Sequence, residues 1–153
     1  MAQVTAIMEY TTHSNGKRYQ ECTLYNGMRH GKFSEYFEDG ETIWVTCEYN
    51  HGLLHNLYTL FYLNGSIHIQ GNYINGIKDG EWVEHDSDNN IVNKGLFTNG
   101  LKEGLWIENK LSCGRYKRGQ KVGNWIKKRF NVLERTVFSK GCVKFKQTEI
   151  LAC

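Results

Sequence analysis

The chain predicts an all-β fold: one antiparallel meander of stacked hairpins. Three observations carry this. A short phrase, Asn-Gly-x-x-x-Gly, recurs at Asn26-Gly27 to Gly31, Asn75-Gly76 to Gly80 and Asn99-Gly100 to Gly104. In the strands entering these turns apolar and polar residues alternate, and less cleanly in the strands leaving them. Proline is absent from all 153 residues, where average usage of roughly 5% would give about seven or eight. Proline cannot donate to an interior ladder, so its absence suits a nearly continuous sheet.

The phrase has two degraded copies, Gly119 to Gly123 and Gly52 to Asn56, the latter with Asn in place of the second Gly. The leading glycines are Gly27, Gly52, Gly76, Gly100, Gly119 and Gly141, so the steps are 25, 24, 24, 19 and 22 residues. A fixed period near 24 residues marks a repeat array. The chain reads as one domain over 1–153: an N-terminal strand and half repeat at 1–23, about five repeats over 24–142, and a closing strand at 143–153.

In chain order, residues 1–12 supply an entering strand. Asn-Gly between apolar runs then signals a tight hairpin, because both residues tolerate positive φ. Midway between these turns lies a second row: Asn15-Gly16, Asp39-Gly40, Asn64-Gly65, Asn89-Asn90 and later Asn131. The chain therefore reverses about every 12 residues, which fits strands of six or so residues with short loops. Residues 143–151 close the series. About thirteen strands result, and at ~4.8 Å each they make a ribbon roughly 60 Å long.

Three columns repeat within this frame. Leu24, Tyr49, Tyr73, Phe97, Tyr116 and Phe138 stand three residues before each leading Gly. Phe33, Tyr58, Trp82, Trp106 and Trp125 stand six after it, and Gln147 breaks the rule in the last copy. Cys22, Cys47, Gly71, Gly95, Gly114 and Thr136 form a small column five before. Ile43, Val45, Cys47 and Tyr49 are expected to share a face with Ile67, Ile69, Gly71 and Tyr73, continued by Ile91 and Phe97. A turn centred between Ile77 and Lys78 would put Tyr73 opposite Trp82, and the same offset pairs Leu24 with Phe33, Tyr49 with Tyr58, Phe97 with Trp106 and Tyr116 with Trp125. The small column would give these rings room.

The composition, 23% charged and 13% aromatic, argues against disorder. The start has no basic segment followed by a long apolar one, so no secretory signal is expected, and no apolar run is long enough to span a bilayer as a helix. The cysteines (Cys22, Cys47, Cys113, Cys142 and Cys153) are odd in number and lack C-x-x-C spacing, which points to free thiols in a reducing, cytoplasmic setting. Cys22 and Cys47 share a column, so their Cα atoms should lie ~10 Å apart, beyond disulfide reach. Charge is divided unevenly. Residues 1–114 carry 8 Lys and Arg against 14 Asp and Glu, a balance of −6; residues 115–153 carry 11 against 2, a balance of +9. Such asymmetry hints at a binding role.

The phrases Tyr25-Asn26-Gly27-Met28-Arg29-His30-Gly31-Lys32-Phe33, Tyr73-Ile74-Asn75-Gly76-Ile77-Lys78-Asp79-Gly80-Glu81-Trp82 and Phe97-Thr98-Asn99-Gly100-Leu101-Lys102-Glu103-Gly104-Leu105-Trp106 resemble MORN repeats. Their Asn-Gly and Gly-x-Trp forms look like the variant class common in bacterial and large-DNA-virus proteins. The resemblance covers about residues 14–145. It implies an elongated, single-layer, gently twisted sheet, and roles in protein–protein interaction, oligomeric scaffolding and sometimes attachment near membranes. Bacterial relatives of the variant class are often labelled antitoxin-like. Family enzymes carry catalysis in an attached domain, and none is left over here.

Two surfaces are candidate sites. The aromatic column Tyr49, Tyr58, Tyr73, Trp82, Phe97, Trp106, Tyr116 and Trp125 is suited to a protein partner; the plainer reading is that these rings only hold the ribbon together. The basic end, Arg115, Lys117, Arg118, Lys121, Lys127, Lys128 and Arg129, followed by Arg135, Lys140, Lys144 and Lys146, is suited to anionic lipid or, less so, nucleic acid. The plainer reading there is a lysine-blunted edge. A third reading joins the acidic end of one copy to the basic end of another, head to tail or edge to edge. His51 and His55 lie four apart in a turn, and His30 and His55 share a column followed by Asp79 and Glu103 at a pitch of ~10 Å, too wide for one zinc. No nucleophile–base pair and no phosphate-cradling loop stands out, so no catalysis, metal, cofactor or small-molecule substrate is expected. The fold class and the ring column thus lead to a non-enzymatic scaffold, with an anionic-surface binder as the alternative.

Overall fold

A computed structural model describes residues 6–151. They form thirteen strands: β1 Ala6–Thr12, β2 Arg18–Tyr25, β3 Met28–Tyr36, β4 Ile43–Asn50, β5 Leu53–Phe61, β6 Ile67–Ile74, β7 Ile77–His85, β8 Ile91–Thr98, β9 Leu101–Glu108, β10 Ser112–Lys117, β11 Gln120–Arg129, β12 Val132–Ser139 and β13 Cys142–Ile150. The strands lie in sequence order in one open sheet, and every neighbouring pair is antiparallel. The entering strand expected over 1–12 is seen from Ala6 onward; residues 1–5, and Cys153 with its neighbour, lie outside the described residues. The accessible surface is 10250 Å², against about 8,000 Å² for a compact monomer of this mass. A single layer has no second sheet to cover it, and the excess follows.

The Asn-Gly turns are two-residue reversals with both central residues left-handed. Asn75 has φ 50° and Gly76 φ 82°, and the same pattern holds where His51, Arg118 and Lys140 replace Asn. That is the turn whose twist matches a right-twisted hairpin. Its centre falls between Asn75 and Gly76, so Ile74 pairs with Ile77, Tyr73 with Lys78 and Asn72 with Asp79. The ladder then jumps and resumes at Gln70 with Val83. Two extra residues are taken up on β7, and Gly80, at φ 77°, sits in this bulge. The second Gly of the phrase is therefore a bulge residue. Asn56 fills that place in β5 with φ 61°, a conformation Asn tolerates better than most residues.

This corrects the expected register. Tyr73 does not lie opposite Trp82; Trp82 pairs with Gly95, Trp106 with Gly114, Tyr58 with Gly71 and Phe33 with Cys47. Leu24 pairs with Arg29, Tyr49 with Leu54, Phe97 with Lys102 and Tyr116 with Lys121. A second correction concerns the far ends of the strands. One-residue irregularities set Ile43, Ile67 and Ile91 opposite Tyr36, Phe61 and His85, out of line with Val45 and Ile69.

Successive turns are tied together. The Gly amides of Gly52, Gly76, Gly100, Gly119 and Gly141 donate to the carbonyls of Arg29, Leu54, Lys78, Lys102 and Lys121, at 2.7–3.0 Å. Beside them, the column of His30, His55, Asp79 and Glu103 accepts from the backbone amides of His51, Asn75, Asn99 and Arg118 at 3.4, 3.4, 2.9 and 2.8 Å. The histidine column thus works as a clasp between turns. On the opposite margin the first four loops are longer and closed by their own side chains, as where the Asp86 carboxylate takes the amides of Asp88 and Asn90. The short step of 19 residues arises where β9 and β10 are joined by a tight turn at Asn109-Lys110 and β10 shrinks to 6 residues.

Candidate functional site

The aromatic column lies along one face of the sheet. Each indole lies over the glycine of the strand before it. A Cβ placed on Gly71, Gly95 or Gly114 would come within 2.2, 2.1 and 2.2 Å of the rings of Trp82, Trp106 and Trp125. The indole N–H groups donate to the carbonyls of Asn72, Leu96 and Arg115, each at 3.1 Å and each one residue past that glycine, where the ladder is interrupted. Where the ring is smaller, the small position is larger: Cys22 lies against Phe33, and Cys47 belongs to the cluster that Tyr58 packs on. Ring and floor are thus matched in volume, as close packing requires.

The rings touch one another in an unbroken series. Edge-on contacts run from Tyr58 to Tyr73, Tyr73 to Trp82, Trp82 to Phe97, Phe97 to Trp106, Trp106 to Tyr116, Tyr116 to Trp125 and Trp125 to Phe138, with centroids 5.0–6.3 Å apart. Such T-shaped geometry suits the ring quadrupole. Phe33 and Tyr49 form a like pair at 5.6 Å. Trp82, Trp106 and Trp125 are 5, 3 and 3% exposed, so they offer almost no area to a partner. Tyr49, Tyr58, Tyr73, Phe97 and Tyr116 are half-buried and do present edges.

A cationic roof covers this column, and the sequence reading missed it. The second residue after the first five leading glycines is Arg29, Leu54, Lys78, Lys102 and Lys121, and after Gly141 it is Val143. Lys78, Lys102 and Lys121 place their ammonium groups 3.9, 4.2 and 3.9 Å from the ring centres of Trp82, Trp106 and Trp125, and the Arg29 guanidinium stands 4.7 Å from Phe33. Cation–π attraction at partly desolvated sites is worth ~0.5–2 kcal/mol. Burial lowers the Lys78 pKa. Glu108 joins two of the lysines, with Lys102 at 2.6 Å and Lys121 at 3.0 Å, and also accepts from the Tyr116 hydroxyl at 2.7 Å. Burial alone would raise the Glu108 carboxyl. Hydrogen bonds from Lys102, Tyr116 and Lys121 outweigh it and hold the carboxyl at about 2. Burial, and then the bond to Glu108, push the Tyr116 phenol up. Burial takes the Cys47 thiol to about 11. On this face the roof leaves open clefts of about 380, 410 and 320 Å³, the first lined by Lys78, Phe97, Asn93 and Trp106 among others.

The basic residues divide into two groups. Lys121 belongs to the roof and is paired with Glu108. Arg115, Lys117, Arg118, Lys128 and Arg129 are exposed, and Lys127 is half-buried at the rim of the 410 Å³ cleft. Lys117, Arg118 and Lys140 line a separate recess of about 510 Å³. At the turn after β11, Phe130 is fully exposed and has φ 45°. A bulky residue held left-handed at a tip is strained. Cys22, Cys47, Cys113 and Cys142 are free, and only Cys142 of these is exposed. Among the described residues no three His, Cys, Asp or Glu side chains gather as a metal site.

Among the described residues the open edges are β1 and β13. With thirteen strands alternating in direction, these two edges run the same way. A copy stacked head to tail would therefore meet β13 in parallel, whereas a two-fold copy would meet it antiparallel. No protein-family model matches the chain, and no curated protein matches it at a significant level.

Proposed function

We propose that the chain is a non-enzymatic scaffold of MORN-type repeats. It binds a protein partner, or itself, through the ring-lined face of its ribbon in a reducing, cytoplasmic compartment. The observation that carries this reading is the single layer. Thirteen strands lie in one sheet with no second layer among the described residues, and the clefts along the ring face open to solvent between fixed rings and lysines. Extended concave or ribbon surfaces of repeat arrays serve as docking platforms because each rung holds its neighbour in place. The contact area comes from the edges of Tyr49, Tyr58, Tyr73, Phe97 and Tyr116, while Trp82, Trp106 and Trp125 hold them. Self-association favours a two-fold meeting of the β1 edges, where Ile7, Met8 and Tyr10 are exposed, because it keeps the antiparallel pattern and separates the basic ends.

The test places a photo-crosslinking residue at Tyr73 or Phe97, with Ser87 on the far loop margin as control. Cross-links to a partner or a second copy from the two ring positions, absent from the control, are expected. Cross-links at the control alone would overturn the reading. Light scattering from 50 mM to 500 mM salt separates self-association from a foreign partner.

A second reading, attachment to anionic lipid through the basic end, is favoured by Phe130. An exposed aromatic beside Lys127, Lys128 and Arg129 is suited to a headgroup layer. Phe130→Asn relieves the left-handed strain, so it should keep the fold and abolish sedimentation with phosphatidylserine vesicles. Unchanged sedimentation would remove this second reading.

A further inference from the structure

We propose that the face opposite the rings, on its Asn-Gly side, is a second docking surface, built for a cationic amphipathic α-helix of a partner protein laid along the ribbon. It rests on the non-enzymatic, protein-binding reading and adds a site on the other face. By register, Ile74 and Ile77 face away from Tyr73 and Lys78, and so do Leu53, Leu57, Leu101 and Leu105 from the rings of their own hairpins. These six side chains are 49–62% exposed. Scattered apolar residues would be ordinary, but these recur at fixed places. Leu53, Ile77 and Leu101 each follow a leading Gly in three consecutive hairpins, and each reaches the next turn's glycine. The row is therefore continuous, and a continuous exposed apolar row marks an interaction site.

The pitch of the row selects the occupant. Equivalent residues recur on every second strand, ~9.6 Å apart. A heptad of α-helix advances ~10.5 Å, so a helix along the ribbon offers the same face to each hairpin in turn. An extended strand covers that distance in about three residues. Three is odd, so its side chains would point alternately toward and away from successive hairpins. Three hairpins span ~29 Å, the length of a helix of about 19–20 residues.

Charge selects its flanks. The same face and margin carry Asp79, Glu81 and Glu103, and Glu48 with Lys32 opposite it. Lys94 is taken by Glu81 at 3.1 Å, and Arg115 stands opposite Leu105 at the end of the row, which leaves Asp79 and Glu103 as the carboxylates without a basic partner among the described residues. Asp79 and Glu103 each spend one oxygen on a turn amide and have a second to offer. An apolar row edged by carboxylates fits a helix with an apolar seam edged by lysines. The footprint has a limit: the positions of Leu101, Leu96 and Leu105 become Gln120, Arg115 and Asn124 in the next hairpin.

The probe is a labelled 21-residue peptide with leucines at heptad positions a and d and lysines beside them. Its controls are a scrambled peptide of the same composition and a version with glutamates for lysines. Fluorescence anisotropy against the full chain at 100 mM salt should show the lysine heptad peptide binding at least tenfold tighter than either control. Ile77→Gln with Leu101→Gln should weaken it at least tenfold, whereas Ser87→Ala, on the far loop margin, should leave it unchanged. Amide exchange on the unsubstituted chain should show slowed exchange at the turns of Gly76 and Gly100, which keeps the test intact if the double variant fails to fold. Equal binding of the scrambled peptide, or no slowing at those turns, would overturn the proposal. So would a second copy of the chain, or a phosphatidylserine vesicle, being released by Ile77→Gln with Leu101→Gln while the peptide does not bind. Failure of the ring-face cross-links would leave these outcomes untouched.

Discussion

Replacing Gly95 by alanine tests the matching of ring to floor. The new Cβ would lie 2.1 Å from Cδ2, 2.2 Å from Cε2 and 2.6 Å from Cγ of Trp106. Carbon contacts settle near 3.5–4.0 Å, so the indole must retreat by roughly 1.4 Å. The retreat drives the ring toward the Lys102 ammonium, 4.2 Å from its centre, and pulls the indole N–H from the carbonyls of Leu96 and Glu103, each 3.1 Å away. Overpacking of this kind costs ~1–3 kcal/mol, and an unsatisfied buried donor ~1–3 kcal/mol more. Alanine returns ~0.5–1 kcal/mol through the unfolded chain. The net loss is ~1–5 kcal/mol, which lowers Tm by roughly 2–20 °C for a chain of this size. The assay is a double-mutant cycle by thermal and urea unfolding of the parent chain, Gly95→Ala, Trp106→Phe and the two combined. Trp106→Phe destabilises alone, but with the smaller ring present the alanine should cost at least ~1 kcal/mol less. Gly95→Cys with Trp106→Tyr, which copies the Cys47 and Tyr58 combination, should be the best tolerated pair. A parent-like midpoint for Gly95→Ala, or strict additivity in the cycle, would refute the reasoning.

Three further outcomes are expected. Glu108 has its folded-state pKa depressed to about 2 from 4.5; its contribution is therefore present above 4.5 and is lost as pH falls from there through 2. The change from 4.5 to about 2 corresponds to ~3 kcal/mol unscreened, and solvent screening of this partly exposed carboxylate cuts it to of order 2 kcal/mol; a plot of unfolding midpoint against pH should be flatter over this window for Glu108→Gln than for the parent. Glu103→Ala removes the acceptor for the Arg118 amide, so that amide should exchange faster with a stability loss of ~1 kcal/mol, and hydrogen exchange read by mass spectrometry reports both. Alkylation followed by peptide mapping should label Cys142 within minutes and Cys22 and Cys47 only after unfolding, since the latter two are buried and the Cys47 thiol is held at about 11.

Much of this architecture is legible in the sequence because its signals are local. Asn-Gly supplies left-handed φ at both residues in one row, and in the other the Gly supplies it while the Asn or Asp side chain accepts a loop amide, so both turn rows, the strands between them and the small column under the rings can be read from spacing. The register is harder. Reading Gly80 as part of the turn moves the turn centre two residues late, whereas the residue is a bulge that lengthens β7 after a tight reversal. The lysine roof is hidden for the same reason. Lys78 and Trp82 are four apart on one strand, and they meet only because the bulge brings them closer than a straight strand would. The clasp of His30, His55, Asp79 and Glu103 is visible as a column, but its role depends on the offset between turns. Neither the pairing of Glu108 with two lysines nor the strained tip at Phe130 has a sequence signal; each depends on where neighbouring hairpins fall.

The stitches from each leading glycine to the carbonyl behind it join only adjacent hairpins. Nothing in that scheme counts the hairpins. A tandem duplication of residues 76–99 would add one more rung with its own indole, lysine and glycine floor, and would lengthen the molecule by ~10 Å. It would also add strands in twos, so the outermost strands would still point the same way. The molecule is in this sense a ruler graduated in whole hairpins, whose reach can be reset by copying a mark while the rest of the scale stays as it was.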